Sequence, residues 1–198
     1  MRAGTLLILL AALTGCGSSD GTKVETTASE RSNSREPLAP ITVTSPDFME
    51  GATLSLDQVY SGFGCVGSNR SPALNWTPVA GAQSYALALF DPDAPGEGWW
   101  HWTVANLPAS VTSLPAGAGS RRGVLPEGTV QGRTDFGSAE YGGPCPPVGD
   151  GPHRYVFTVY AFATASLPVN ASTDGAAFKA TVEREAIASG TITARFGR

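Results

Sequence analysis

The sequence is poor in the residue types that most often carry acid–base or metal chemistry. Its 198 residues include two histidines and three cysteines. Histidine is the side chain best suited to hold a phosphate, a metal or a proton near neutral pH. Both histidines, His101 and His153, stand in short segments rich in proline, glycine and polar residues. We therefore predict that they converge on one site; the alternative is two unrelated, partly buried histidines.

The chain also lacks an excess of basic residues. Thirteen Lys and Arg face 17 Asp and Glu, which gives a formal net charge of -4 and a pI near 5.1. Binding to a phosphate backbone needs a basic face. We therefore predict that nucleic acid is not a partner.

No apolar run is long enough to cross a membrane comfortably. Residues 1–15 form a short apolar segment behind a single positive charge, Arg2, which is the layout of a secretory signal peptide. The ending Leu-Thr-Gly-Cys at residues 13–16 resembles the lipobox of bacterial lipoproteins. That resemblance implies cleavage before Cys16 and attachment to a membrane through lipid on this residue. An ordinary signal peptide that happens to contain a cysteine is the alternative.

Residues 16–40 hold Val24 and Leu38 as their large apolar residues, and such a stretch cannot bury enough surface to order itself. We predict a disordered tether here and a folded domain over 41–198. Two cysteines remain in that domain, Cys65 and Cys145. In an exported, oxidising compartment they can form a disulfide, and two buried free thiols are the alternative.

The pattern of the folded part favours strands over helices, since 24 Gly and 15 Pro interrupt it often. Strand-like runs occupy residues 41–44, 73–76, 84–90, 99–107, 154–162 and 191–196. A helical pattern covers residues 174–189, with Asp174 as a possible N-cap and with apolar Ala177, Phe178, Val182 and Ile187. We predict a mostly β, antiparallel fold with one C-terminal helix.

Side-chain alternation in strands predicts how the histidines are presented. On the strand that starts at His153, the side chains of Tyr155 and Phe157 share its face. In residues 99–107, alternation places Thr103 on the face of His101 and the two tryptophans beside His101 on the opposite face. Each histidine is therefore expected to leave the sheet toward a cavity while its neighbours pack.

Four motifs together resemble the phosphatidylethanolamine-binding protein family, and especially its bacterial Raf-kinase-inhibitor-like branch. They are D-P-D-A-P at 91–95, W-H-W at 100–102, G-P-C-P-P at 143–147 and G-P-H-R-Y at 151–155. The resemblance runs from about residue 45 to residue 198 and is specific because long motifs occur in order. It implies an antiparallel β-sandwich with one or two peripheral helices and a small anion pocket at one end of the sheet.

The resemblance also implies the residues of that pocket. The expected ligand-binding residues are Asp91, His101, Gly143, Pro147, His153 and Tyr155. Asp93 and Trp100 are expected to support them. Backbone N–H groups of the glycine-rich loop, with His and Tyr donors, would hold phosphate oxygens. A carboxylate beside the histidines would raise their pKa or pair with the ammonium of an ethanolamine head group.

The expected ligand is a phosphate-bearing small molecule or a phospholipid head group, with no cofactor and no metal. A module that inhibits a kinase or a protease is the first alternative, and it would add a protein partner. A metal-dependent hydrolase built on the two histidines, Asp91 and Asp93 is a lesser one, because these residues are not in a metal-spaced motif. No Gly-x-Ser-x-Gly elbow is present. We predict no catalytic residue and no enzyme activity.

Overall fold

The computed structural model describes residues 38–120 and 124–198. The predicted signal peptide, the predicted lipidation of Cys16 and nearly all of the predicted tether lie outside these residues. The described residues form strands β1 (Ala39–Pro40), β2 (Val43–Thr44), β3 (Ser61–Gly62), β4 (Cys65–Val66), β5 (Leu74–Trp76), β6 (Ser84–Asp91), β7 (Trp99–Pro108), β8 (Ser113–Leu114), β9 (Val130–Gln131), β10 (His153–Phe162) and β11 (Ala186–Phe196), with helix α1 (Gly175–Glu185) before the last strand.

A six-stranded sheet in the order β1-β11-β10-β6-β7-β9 forms the centre of the fold. All its pairs are antiparallel except that of β1 with β11. Strands β10 and β11 pair from His153–Phe196 to Phe162–Ala186. Since β6 and β10 lie side by side, Asp91 at the end of β6 and His153 at the start of β10 come to one end of the sheet.

A smaller antiparallel sheet, β2-β5-β8, packs on one face of the large sheet and makes the fold a sandwich. The core between the two sheets includes Trp76 and Leu114 from the small sheet and Leu87, Trp102 and Phe157 from the large one. Burial of such side chains contributes about 1.5–3 kcal/mol each. The predicted antiparallel β-sandwich is confirmed.

The other face of the large sheet packs against helix α1 and carries a second core. Phe178 and Val182 of the helix meet Ala86 and Ala88 of β6 there. Strand β6 thus has large residues toward the sandwich and small alanines toward the helix, which leaves room for the helix to approach. The predicted N-cap is present, since the Asp174 side chain accepts a hydrogen bond from the N–H of Ala177.

The predicted helix is too long. It ends at Glu185, and residues 186–189, predicted as helix, begin strand β11. These residues pair with β10 on one side and with β1 on the other, which holds their backbone in an extended conformation. Tertiary hydrogen bonds thus override the helical pattern. Of the apolar residues expected on the helix, Phe178 and Val182 are buried, whereas Ala177 is exposed.

The predicted alternation in β7 is also wrong. Strand β6 pairs Leu89 with Trp102 and then Phe90 with Trp100, so the register skips His101. This β-bulge puts Trp100 beside the helix-side core and Trp102 in the sandwich core. The tryptophans therefore lie on opposite faces, because a bulge adds one residue to the strand and breaks its period of two.

Cys65 and Cys145 are joined by a disulfide. The bond links the β3–β4 hairpin to the proline-rich loop before β10. Within residues 38–120 and 124–198, no helix is both long and apolar enough to span a bilayer.

Candidate functional site

A cavity of about 190 Å³ opens at the end of the large sheet where β6, β7 and β10 meet the proline-rich loop. We call it the site cavity. Its walls hold five of the predicted site residues, namely Asp91, His101, Pro147, His153 and Tyr155. The remaining walls are mostly aromatic rings and prolines: Phe63, Ala94, Pro95, Trp99, Phe136, Cys145 and Pro146. The two histidines, 52 positions apart in the sequence, therefore face one space.

Asp91 fixes the orientation of His153. Its Oδ2 accepts a hydrogen bond of 2.8 Å from Nδ1 of the imidazole, and both side chains are buried. Its Oδ1 accepts hydrogen bonds from the backbone N–H groups of Asp93 and Ala94. With Nδ1 used in this way, Nε2 of His153 is left to face outward, 3.5 Å from Oδ2 of Asp150.

His101 is held in a different way. Its Nδ1 lies 2.8 Å from the carbonyl oxygen of Gly142, and a carbonyl can only accept, so Nδ1 carries the proton. The carbonyl of His101 in turn accepts a hydrogen bond from the N–H of Gly142. Burial lowers the pKa of His101 to about 4, and this effect exceeds the opposite effects of the Gly142 carbonyl and of the Asp91 charge.

The charge of Asp91 acts on the pKa of His101 in the predicted direction, but burial outweighs it, so the pKa of this histidine is lowered and not raised. This imidazole is neutral at pH 7, and its Nε2 is a hydrogen-bond acceptor. The reason is that His101 is 4% exposed and that Asp91 forms its hydrogen bond with the other histidine.

Tyr155 completes the polar part of the cavity. Its ring packs edge-on against the imidazole of His101, with 5.2 Å between the ring centres. Burial, followed by the charge of Asp91, raises the pKa of Tyr155 well above its usual value. Its hydroxyl is buried and makes no hydrogen bond of good geometry within the described residues, but it interacts with the carboxylate of Asp91. A buried hydroxyl without a well-formed hydrogen bond costs free energy, and a bound ligand could supply one.

Aromatic rings form the wall on the other side. Phe136 stands at its centre, 5.3 Å from the ring of His101 and 5.5 Å from that of Trp99, both in edge-to-face contact. Phe63, which is 70% exposed, stacks at the rim 6.1 Å from Phe136. The cavity thus combines a few polar groups at its base with a broad apolar wall, as small-molecule sites usually do.

Gly143 does not line the cavity, although it was predicted to bind the ligand. Its N–H already donates to Oδ1 of Asn69 at 2.7 Å. An added Cβ would lie 2.0 Å from the carbonyl oxygen of Gln58, so the position requires glycine for close packing. The neighbouring N–H of Gly142 is used by His101. The N–H groups of Gly142 and Gly143 are therefore not free to form the predicted anion nest.

The two predicted support residues lie outside the cavity walls. Asp93 forms a bidentate ion pair with Arg154, whose side chain is half exposed, and also accepts from its backbone N–H. Hydrogen bonding by that guanidinium lowers the pKa of Asp93 to about 2. Trp100 packs 4.6 Å from Phe90 on the helix side of the sheet. It is Trp99 that faces the cavity.

Several site residues were missed at the sequence level. Phe63 and Phe136 come from segments far from the histidine motifs. Residues 131–136 lie within the family resemblance, but no role was predicted for Phe136, and nothing in the local pattern marks Phe63. Arg198 donates to the carbonyl oxygens of Pro146 and Phe63, so the chain's last residue ties together two parts of the rim. The segment containing Arg198 was part of the family resemblance, but no role was predicted for it.

The described residues do not bring together three His, Cys, Asp or Glu side chains in the arrangement that a metal ion needs. Asp93 is paired with Arg154, and the two histidines use Nδ1 for protein hydrogen bonds. The lesser alternative of a two-histidine, two-carboxylate metal site has no support from this arrangement.

Comparison with known proteins agrees with the fold and the motifs. The family model described as Phosphatidylethanolamine-binding protein matches residues 44–197. The chain belongs to the phosphatidylethanolamine-binding protein family. Within that family, it is 50% identical over 158 residues to the UPF0098 protein YbcL of Escherichia coli (strain K12), which covers 78% of this chain and 86% of that protein.

The crystal structure of E. coli YbcL, described as a member of the mammalian PEBP family, superposes with a TM-score of 0.78 at 48% identity. The match covers 80% of this chain and 98% of that one. Another relative is LppC of Mycobacterium tuberculosis (strain ATCC 25618 / H37Rv), which is named as a lipoprotein. It is 36% identical over 175 residues, 84% of this chain and 81% of LppC.

Proposed function

We propose that this member of the phosphatidylethanolamine-binding protein family is a binding protein whose site cavity holds a phosphate-type group. The observation that carries the proposal is the convergence of His101, His153 and the buried hydroxyl of Tyr155 on one cavity. The hydroxyl of Tyr155 is a donor for ligand oxygens, and Nε2 of His153 is a second donor when that imidazole is protonated, since its Nδ1 already donates to Asp91. A volume of about 190 Å³ suits a phosphate with a small substituent, since drug-sized ligands occupy roughly 300–1,000 Å³.

The proposal does not include catalysis. A nucleophile needs a neighbouring base that takes its proton. Within the described walls of the cavity, the side-chain oxygens belong to Asp91 and Tyr155 and both cysteines of the domain are bonded to each other. Asp91 already accepts three hydrogen bonds and is held as a support for His153.

Calorimetric titration of the purified protein with inorganic phosphate tests the proposal. We expect saturable binding with one site, lost in His153→Asn, whose amide keeps the hydrogen bond to Asp91 but has no group at the position of Nε2. Lys179→Ala, which removes a positive charge from the helix face away from the cavity, is the matched control and should bind as the wild type does. Binding that is lost equally in the Lys179 variant, or unchanged in the His153 variant, would contradict the proposed site.

We further propose that the protein is exported and attached to a membrane by lipid on Cys16. The sequence ending at residues 13–16, the likeness to a relative named as a lipoprotein and the disulfide, which suits an oxidising compartment, support this. In cells, Cys16→Ala should release the protein from the membrane fraction, while Cys65→Ser and Cys145→Ser together should leave it there. Wild-type protein in the cytoplasm with Met1 retained would overturn the proposal.

A further inference from the structure

We propose that the site cavity selects a singly protonated phosphate monoester over a phosphate diester, and that His101 makes this distinction. The inference rests on the proposed function and narrows the class of ligand. A monoester carries an acidic P–OH group in its singly charged form, whereas the phosphate of a diester has no proton to donate. Both forms have one negative charge, and they differ in that the diester has a second organic substituent where the monoester has a hydrogen-bond donor.

The first step concerns what His101 offers to a ligand. Because Nδ1 donates to the carbonyl of Gly142, the atom of this imidazole that is left for the cavity is Nε2. Burial lowers the pKa of His101 to about 4, so near neutral pH this nitrogen presents a lone pair and no proton. A P–OH group would donate to it. An unprotonated phosphate oxygen in the same place would set two lone pairs against each other.

The second step concerns the other acceptor at the base of the cavity. Asp91 already accepts from His153 and from the N–H groups of Asp93 and Ala94. Its carboxylate is therefore less available to a ligand proton than Nε2 of His101 is. The hydroxyl of Tyr155, and Nε2 of His153 when that imidazole is protonated, then act as donors to the ligand's other oxygens. The cavity thus requires a ligand that both donates and accepts.

The third step concerns other groups that titrate or carry charge nearby. Asp91 and Asp135 act on His101 through their charges, and His153 lies between Asp91 and Asp150. Arg154 and Asp93 form a pair beside β10. Changes in the charge of these groups act on any anion in the cavity. A comparison of ligands with equal charge at one pH therefore isolates the effect of the ligand's own proton.

Three small probes provide that comparison. At pH 5, methyl phosphate, methyl sulfate and dimethyl phosphate each carry one negative charge, and methyl sulfate has the shape of methyl phosphate without the acidic proton. We expect calorimetry to show methyl phosphate binding about tenfold more tightly than either of the other two, which is the size of one well-formed hydrogen bond. At pH 8 the monoester is doubly charged, because its second pKa is about 6, and the preference should shrink.

Two variants assign the preference to His101. His101→Asn keeps a donor to Gly142 but has no acceptor at the position of Nε2, so the ratio of the methyl phosphate and methyl sulfate affinities should fall to about one. Lys179→Ala is the matched control, since Lys179 lies on helix α1 outside the cavity walls, and it should leave the ratio as in the wild type.

The outcomes separate this inference from the proposed function. Equal affinities of the wild type for methyl phosphate and methyl sulfate at pH 5 would overturn the selection by His101 while leaving an anion site. A preference that survives in His101→Asn would likewise overturn the role of this residue. Failure of all three probes to bind would overturn the proposed function and this inference together.

Discussion

At the scale of single residues, the two histidines differ in the group that accepts a hydrogen bond from their Nδ1 atom. His153 donates from Nδ1 to a buried carboxylate. His101 donates from Nδ1 to a backbone carbonyl and is enclosed by rings. The sequence places His101 shortly after the acidic motif at 91–95 and His153 far from it. It cannot say that Asp91 contacts His153, since that depends on the pairing of β6 with β10.

The buried, neutral state of His101 predicts a pH dependence of stability. Its pKa is about 4 in the folded protein and about 6.5 in an unfolded chain, so between these values the unfolded state binds more protons. The free energy of unfolding should therefore rise with pH through this window, and its loss from pH 7 to pH 4 should include about 3 kcal/mol from this residue. Denaturant unfolding at several pH values measures this loss of unfolding free energy.

His101→Asn is the comparison for that measurement, because asparagine does not titrate and keeps a donor to Gly142. The difference in unfolding free energy between wild type and variant should become smaller as the pH falls from 7 to 4. A difference that stays constant over this range would show that the folded-state pKa of His101 is not lowered.

At the scale of secondary-structure elements, the bulge in β7 and the loop before β10 set the geometry of the site. The bulge at His101 turns this residue and Trp102 out of simple alternation. The loop is fixed from the inside by contacts of Gly143 with Asn69 and with the backbone of Gln58. Glycine is needed here because of close approach by another backbone segment.

Replacement of this glycine tests how tightly the loop is held. In Gly143→Ala, the new Cβ would stand 2.0 Å from a backbone oxygen, so we expect a loss of about 3 kcal/mol of stability, at the upper end for overpacking. Gly151→Ala is the control in the same loop, because nothing lies within 4 Å of its Cβ position, and it should change stability by less than about 0.5 kcal/mol. Thermal or denaturant unfolding distinguishes the two, and equal effects would contradict the packing role.

Helices and strands could be predicted where a run of neighbouring residues in the sequence showed the pattern of the element. Strands β6 and β10 were foreseen within one residue because their apolar and β-branched runs are long. Two-residue strands such as β3 and β9 gave no periodicity to detect. Residues 186–189 look helical in isolation, and only their pairing with β10 makes them a strand. Five of the six predicted ligand-binding residues line the cavity, whereas Phe63 and Phe136, for which no role was predicted, reach it through tertiary contacts.

At the scale of the whole molecule, the disulfide connects two walls of the site cavity. Cys65 belongs to the hairpin that carries Phe63, and Cys145 lies beside Pro146 in the opposite wall. The cysteines are 80 positions apart, so the cross-link closes a long loop in the unfolded chain.

Loss of this cross-link should therefore lower the stability of the whole fold. In the chain-entropy model, a loop of this length stabilises the folded state by about 4–5 kcal/mol. Cys65→Ser with Cys145→Ser should lower the midpoint of denaturant unfolding accordingly, and a reductant should do the same to the wild type without further effect on the double variant. A wild type that is insensitive to reductant when unfolded would contradict the presence of the bond.

The central claim is that two histidines distant in sequence serve one phosphate-type ligand. Imidazole NMR signals of His101 and His153, followed while inorganic phosphate is added to the purified protein at pH 7, test it most directly. The account predicts that the signals of both residues shift along one saturation curve with a single dissociation constant. Signals that do not move at saturating phosphate, or that follow two different curves, would contradict it.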